Sequence, residues 1–223
     1  MKMKTGFVKL DKVLDGGLPK NTNILVSGGP GTGKTLFSMK FLAEGIEAKE
    51  KCCYVSLSEN KEELLRAASN ITSLGKIKEH VGENLAIEHI TMGENITMKK
   101  FNEIISSYPE IDRLVIDNIN KLLIFAESKR AYRIHLSELL KHLKDISKCT
   151  FLICETEGDG IDTGNGEAFE CDGIMHLSFL ELEEKPMRTL QIHKLRYTAF
   201  EPKVPHEFII NNKDLKITGT KII

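Results

Sequence analysis

The sequence predicts an α/β fold: a mostly parallel, twisted sheet flanked by helices and continued by an antiparallel C-terminal extension. Three observations carry that prediction. Short apolar runs alternate with helix-period segments over the first two-thirds of the chain, the pattern of parallel strands joined by right-handed crossovers. A glycine-rich turn lies between the first such run and the helix that follows it, at residues 28–35. From Gly173 onward apolar and polar residues alternate with the period of half-buried strands.

The elements follow in order. Asn23 to Ser27 (NILVS) reads as a buried strand, and Lys34 to Ala48 as a helix with Leu36, Met39, Ala43 and Ile46 at three- and four-residue spacing. Cys52 to Leu57 is the second strand. Asn60 to Ser69 is a helix whose Asn60 and Glu63 have the spacing of a capping box. Leu85 to Ile90 is the third strand, and Thr97 to Ser107 a helix closed by Pro109. Arg113 to Asp117 is a strand, Ala131 to Ser147 a helix and Thr150 to Glu155 another strand. Gly158 to Gly166 (GDGIDTGNG) is expected to be a mobile loop. Gly173 to Glu183 and Met187 to Tyr197 read as two strands joined across Glu184 to Pro186, and Phe208 to Ile210 with Leu215 to Thr218 as a final hairpin. The pattern shows neither an internal repeat nor a second hydrophobic core, so residues 1–223 are read as one domain.

Composition narrows the function classes. The 223 residues are 41% apolar and 28% charged, an ordinary globular balance. Basic and acidic residues number 31 and 32, so the chain as a whole lacks the footprint of a nucleic-acid binder. No apolar run approaches the roughly 20 residues that a bilayer span needs. Met1 to Leu10 lacks the apolar segment and cleavage site of a secretory signal. A soluble, cytoplasmic protein without membrane insertion is expected. Cys52, Cys53, Cys149, Cys154 and Cys171 include no C-x-x-C pair, which argues against a zinc site or a disulfide framework. Phe37 and Phe41 read as core residues.

Gly28, Gly29, Pro30, Gly31, Thr32, Gly33, Lys34 and Thr35 match G-x-x-x-x-G-K-[ST] in full, between a strand and a helix. The glycines let the backbone curl so that N–H groups face phosphate oxygens, and the helix adds its positive end at the same place. In such a loop Lys34 reaches the β- and γ-phosphates of a nucleotide, and the Thr35 hydroxyl ligates Mg²⁺. The apolar run before Asp117 puts that carboxylate at a strand's carboxyl end, where it can hold Mg²⁺ directly or through water. Glu59, just after the second strand, is the candidate group to orient or deprotonate water. A carboxylate before a helix start is equally well explained by the helix dipole. Glu155 shares this edge, either as a γ-phosphate sensor acting through water or as a solvated loop carboxylate.

Ahead of the loop stand Thr5-Gly6, Leu10-Asp11 and Gly16-Gly17-Leu18-Pro19. This opening resembles the T-G-x-x-x-L-D-x-x-x-x-G-G-[I/L]-P of KaiC-like ATPases in the RecA superfamily. The resemblance continues through Tyr54-Val55-Ser56-Leu57, Val115-Ile116-Asp117-Asn118, Leu190 to Arg196 (LQIHKLR) and Pro205 to Ile210 (PHEFII), and so covers nearly the whole chain. It implies a RecA-like P-loop NTPase fold, ATP and Mg²⁺ as ligands, and a homo-oligomer, commonly a hexameric ring, with ATP at subunit boundaries. It further implies that Lys194 and Arg196, two apart on one strand face, reach the γ-phosphate held by a neighbouring subunit. Taken alone, the same two residues read as the basic guard of an edge strand.

Three departures bear on mechanism. Many family members carry Glu-Glu after the second strand, where this chain has Ser58-Glu59. The usual glycine after the K-x-R segment is Tyr197. Ala168-Phe169 stands where the circadian member carries a phosphorylated Ser-Thr pair, so autophosphorylation of that kind is not expected.

Three function classes follow. One is a slow, ring-forming regulatory ATPase acting with protein partners. Another is a nucleotide-binding interaction protein with little turnover. The third is a DNA-binding recombination ATPase, which needs basic loops near the ring axis. The Gly158 to Gly166 loop carries Asp159 and Asp162 but neither lysine nor arginine. The best basic candidate, Lys129-Arg130 with Arg133, reads as a solvated helix start.

Overall fold

The computed structural model describes residues 2–91, 93, 96–108, 110–158, 160–182 and 185–219. Those parts of the sequence reading that touch Met1, Pro109, Asp159, Glu183 and Glu184 lie outside them.

The chain opens with a small lap. Strands β1 (Lys2–Met3) and β2 (Leu18–Pro19) pair antiparallel, with helix α1 (Val8–Val13) between them. The buried Asp11 carboxylate holds this lap by accepting from both the backbone N–H and the hydroxyl of Thr5, each at 2.8 Å. Gly17 lies at φ 127°, and a Cβ there would sit 2.2 Å from the Met3 carbonyl oxygen. The opening motif is therefore a set of close-approach and buried-bond positions that fasten the N-terminus to the body.

The body is one sheet with helices on both faces. Its parallel part consists of β3 (Thr22–Gly28), β4 (Cys52–Ser56), β5 (Leu85–His89), β6 (Ile111–Asp117), β7 (Ser147–Glu155) and β8 (Gly173–Leu180). Then β9 (Met187–Leu195), β10 (His206–Ile210) and β11 (Leu215–Ile217) continue it antiparallel. Among the described residues the order is β11-β10-β9-β8-β3-β7-β6-β4-β5. β3 is thus central, bonded to β7 on one side and β8 on the other, and every one of its residues is buried. A strand covered on both faces reads as a continuous apolar run, which is why NILVS shows no alternation.

The faces still separate by strand period. Ile24 and Val26 point into one core, with Phe37, Phe41 and Phe151; Leu25 points into the other, with Leu114, Ile116 and Leu152. Helices α2 (Lys34–Glu47) and α3 (Lys61–Ser69) cover the first face, and α4 (Met98–Ser106) and α5 (Lys129–Ile146) the second. Phe37 and Phe41 are fully buried and stack on Phe151 at centroid distances of 5.9 and 3.9 Å. Asn60 and Glu63 make the predicted capping box. Thr97 and Ser128 cap α4 and α5 through side-chain oxygens. All five cysteines are free and buried, acting as small apolar residues.

Two features differ from the sequence reading. A short helix, α6 (Glu167–Glu170), ends the glycine-rich segment. That segment is also bonded from within: Asp162 accepts from the backbone of Gly164 and Ala168, and Thr163 donates to the buried Glu167 carboxylate at 2.5 Å. Its glycines suggested only freedom, because the buried carboxylate that ties it down cannot be recognised from composition. Segments Thr72–His80 and Ile119–Phe125 are 3-10 helical and carry no periodic signature in the sequence.

Candidate functional site

Parallel strands deliver their carboxyl ends to one edge of the sheet, and the phosphate-loop residues stand there. Gly28 ends β3 at φ 151°, where a Cβ would meet the Leu177 carbonyl oxygen of β8 at 2.1 Å. Only glycine lets the chain leave the sheet at that point. Gly31 and Gly33 also take positive φ, and α2 begins at Lys34. The loop, Thr35, Leu36, Ser58, Glu59, Asp117, Asn118, Glu155, Arg188 and Ile210 line a cleft of about 470 Å³.

Strand register explains how distant carboxylates converge. Ser56 pairs with Asp117 across β4 and β6, so those two strands end level, and Ile153 pairs with Asp117 across β6 and β7, with β7 running two residues further to Glu155. Thr35 donates its hydroxyl hydrogen to Asp117 Oδ2 at 3.1 Å. Tyr54, two residues before Ser56 and on its face of β4, donates to the same oxygen at 2.5 Å. The Asp117–Asn118 peptide bond is cis. Asn120 exchanges two hydrogen bonds with the Glu155 backbone and holds that strand end in place.

These charges are uncomfortable as they stand. Burial lowers the Lys34 ammonium's pKa, although Glu155 and Asp117 oppose that. Burial raises Asp117 despite its bonds from Tyr54 and Thr35. Desolvation, with Asp117, Glu63 and Glu155 nearby, raises Glu59. Lys34 donates to the Gly29 carbonyl at 2.8 Å. Groups displaced in this way within one cleft mark a functional site. Adjacent hydroxyl and carboxylate oxygens form a hard donor set suited to Mg²⁺, and nothing lies within 4 Å of where a Cβ on Gly31 would point, so the loop is open on that side. No cluster of three His, Cys, Asp or Glu suited to a metal exists among the described residues. An Mg²⁺ here would therefore need oxygens from the nucleotide and water.

Lys194 and Arg196 are elsewhere. Lys194 pairs with Ile174, and the Arg196 N–H donates to the Asp172 carbonyl, five residues before Leu177, which is level with Gly28. At a rise of about 3.3 Å per residue this sets Arg196 roughly 16 Å down the strands from the loop. The Lys194 ammonium donates to the carbonyls of Ala168, Phe169 and Cys171 at 3.0, 3.2 and 2.7 Å, and burial lowers its pKa. The Arg196 side chain is half exposed and meets Asp172 at 3.4 Å.

Two residues bonded to groups of the cleft are not singled out by the sequence reading. Tyr54 was noted only as part of a resemblance; its strand alternation with Ser56 is the signal that could have placed it. Arg188 donates from Nε to the Gly31 carbonyl at 3.2 Å. It reaches the loop only because β9 follows β8 beside β3, an order that local sequence does not carry.

Comparison with known proteins agrees with this geometry. The family model described as "ATPase: KaiC" matches residues 3–222. A UPF0273 protein of Pyrococcus furiosus is 28% identical, covering 100% of this chain and 96% of its own length. The circadian clock protein KaiC2 of Synechocystis is 30% identical over 88% of this chain and 36% of its own. The crystal structure of a KaiC-like protein from Pyrococcus horikoshii superposes with a TM-score of 0.84 at 26% identity, over 98% of this chain and 99% of that one. A phosphate loop at the end of β3, an aspartate at the carboxyl end of β6 and a match along almost the entire chain have one reading: this chain belongs to the KaiC-like ATPases of the RecA superfamily.

Proposed function

We propose that this chain is a slow regulatory ATPase that binds Mg-ATP in the cleft at Gly28 to Thr35 and completes each site with residues from a neighbouring copy, in a ring. The observation that carries this reading is the placement of Arg196. It is half exposed and at the end of the sheet opposite its own phosphate loop, so any phosphate it meets belongs to another chain.

The roles divide accordingly. The loop N–H groups, Lys34 and Thr35 hold and orient the phosphates. Thr35 and Asp117 would hold Mg²⁺, which when bound supplies charge neutralisation at the transferring phosphate. Tyr54 orients the Asp117 carboxylate. Glu59, with its raised pKa, accepts the proton of the attacking water. Arg196 stabilises charge in trans. Lys194, committed to three carbonyls, braces α6 beside it. Ser58, which has no basic group, stands at the first of the family's two glutamate positions, which leaves Glu59 alone and favours low turnover.

Mixing two inactive variants tests the shared site. Lys34→Ala lacks a working loop and Arg196→Ala a working finger. With random neighbours, roughly a quarter of the interfaces in a mixture regain both. Recovered ATPase activity on mixing is expected; no recovery would overturn the shared site. The second reading, nucleotide-gated assembly with little turnover, is favoured by Ser58 alone. It predicts Mg-ATP-dependent assembly with turnover no higher than that of Lys34→Ala. Against a DNA-binding reading, Asp162 and Glu167 bond within the glycine-rich segment, which carries no basic side chain. The partners are accordingly read as proteins, beginning with further copies of the chain.

A further inference from the structure

We propose that Tyr197 is an anchor for a second copy of this chain, its ring seating at the rim of that copy's nucleotide cleft. The proposal deepens the shared-site reading and rests on it.

The first observation is conformational. Tyr197 sits in the turn that ends β9 with φ at 64°, the left-handed region where a side chain is crowded against its own backbone. Its ring is not buried in compensation: the residue is 77% exposed. Glycine would make this turn without that crowding, so the folded chain by itself gains nothing visible from tyrosine here.

The second observation is position. Tyr197 directly follows Arg196, the exposed cation assigned to the neighbouring site. On the other side of the cation pair, Phe169 is 73% exposed, and its carbonyl accepts from Lys194. The Arg133 guanidinium lies over the Phe169 ring at 5.9 Å. Exposed aromatic rings grouped with arginines are the composition of interface anchors rather than of a solvated surface.

Charge complementarity selects the occupant. The face beside Phe169 carries Lys129, Arg130 and Arg133 in the first turns of the 18-residue α5, which has no acidic residue in its first turn; Arg133 is paired with Glu170 at 3.1 Å, whereas Lys129 and Arg130 meet no carboxylate among the described residues. Cations at the positive end of a helix are unfavourable until an anionic surface meets them. The rim of the nucleotide cleft presents exposed carboxylates in Glu59 and Glu155, beside the cations Lys34 and Arg188, with Leu36 and Ile210 as apolar ground for a ring. One face of the chain is therefore complementary to another face of the same chain. This is a head-to-tail relation, which closes as a ring when the rotation allows.

The test compares the full-length wild type with Tyr197→Gly and Tyr197→Phe by analytical ultracentrifugation across protein concentrations, with and without Mg-ATP. In Tyr197→Gly the concentration for half-assembly should rise at least about tenfold, as for loss of an interface anchor. Its thermal unfolding midpoint should not fall, because glycine suits the turn, and Mg-ATP binding by dilute chains should persist. Tyr197→Phe should assemble like wild type. If Tyr197→Gly assembles at the wild-type concentration, the anchor is wrong and the shared site stands. If the wild type stays monomeric with Mg-ATP at every concentration, the shared site and the anchor both fall.

Discussion

At the carboxyl end of the parallel strands Lys34, Asp117 and Glu59 share a cleft in which burial displaces all three pKa values, lowering the lysine and raising the two carboxylates, which their neighbouring carboxylates raise further. At the amino end the buried Asp172 meets Lys144 at 2.8 Å, Arg196 at 3.4 Å and the Asn23 N–H at 3.0 Å. Both ends bury charge, but only the second provides it with closely matched partners. The difference separates a region built to receive a charged ligand from one built to hold the sheet together.

The comparison breaks most easily at the lysine. Lys34→Ala should remove ATP turnover and weaken Mg-ATP binding by about 100-fold, since a charge-assisted phosphate contact of about 3 kcal/mol is lost. Isothermal calorimetry and phosphate release would measure both, and the fold should keep its unfolding midpoint. Glu59→Gln should lower turnover by about 100-fold, the usual contribution of a general base, while Mg-ATP affinity stays the same. In the wild type, turnover should fall on the acid side at a pH above the usual carboxylate range, because the folded-state pKa of Glu59 is raised. An equal loss of affinity and rate in Glu59→Gln would count against its role as base.

The opposite end should respond in stability instead. Asp172→Asn should cost about 2 kcal/mol in denaturant unfolding, less than a fully buried pair because Lys144 and Arg196 remain partly in water. Mg-ATP binding by dilute chains should be unaffected. The smallest effect is expected at the hairpin clasp, where Lys40 of α2 meets Asp214 at 2.9 Å. Burial opposes ionisation of Asp214, but bonds from Ser73 and Lys40 outweigh it, and its pKa is lowered. Asp214→Asn should therefore cost about 0.5 kcal/mol at neutral pH. That contribution is present above the ordinary carboxylate pKa and is lost as pH falls through the lowered folded-state value. Unfolding midpoints of wild type and variant should accordingly converge in acid.

Much of the cleft was legible because it is local. Eight consecutive residues specify the phosphate loop, and Asp117 announces itself as a carboxylate ending an apolar run. The Asn60 to Glu63 spacing identifies the start of α3, which directly follows Glu59. What was hidden depends on register or strand order. Tyr54 meets Asp117 through pairing of strands 63 residues apart. Arg188 meets Gly31 across 157 residues. The resemblance sets Lys194 beside Arg196 as a cation for a neighbour's γ-phosphate, yet α6 and the residue after it, invisible in the sequence as a few residues after a glycine run, take up its ammonium in this chain.

The sequence by itself determined the alternation of strands and helices, the phosphate loop, the aspartate that ends β6 and the family, since each depends on residue type at fixed short spacing. Tertiary structure alone decided which end of the sheet each charge occupies. It put Arg196 roughly 16 Å from its own loop and Arg188 against that loop, although both belong to one short stretch of β9 and the turn after it. The physical reason is that a strand running antiparallel at the edge of a parallel sheet carries its first residue to the carboxyl edge and its last to the amino edge. Spacing along the chain states how far apart two side chains are, and only the pairing states which way they go.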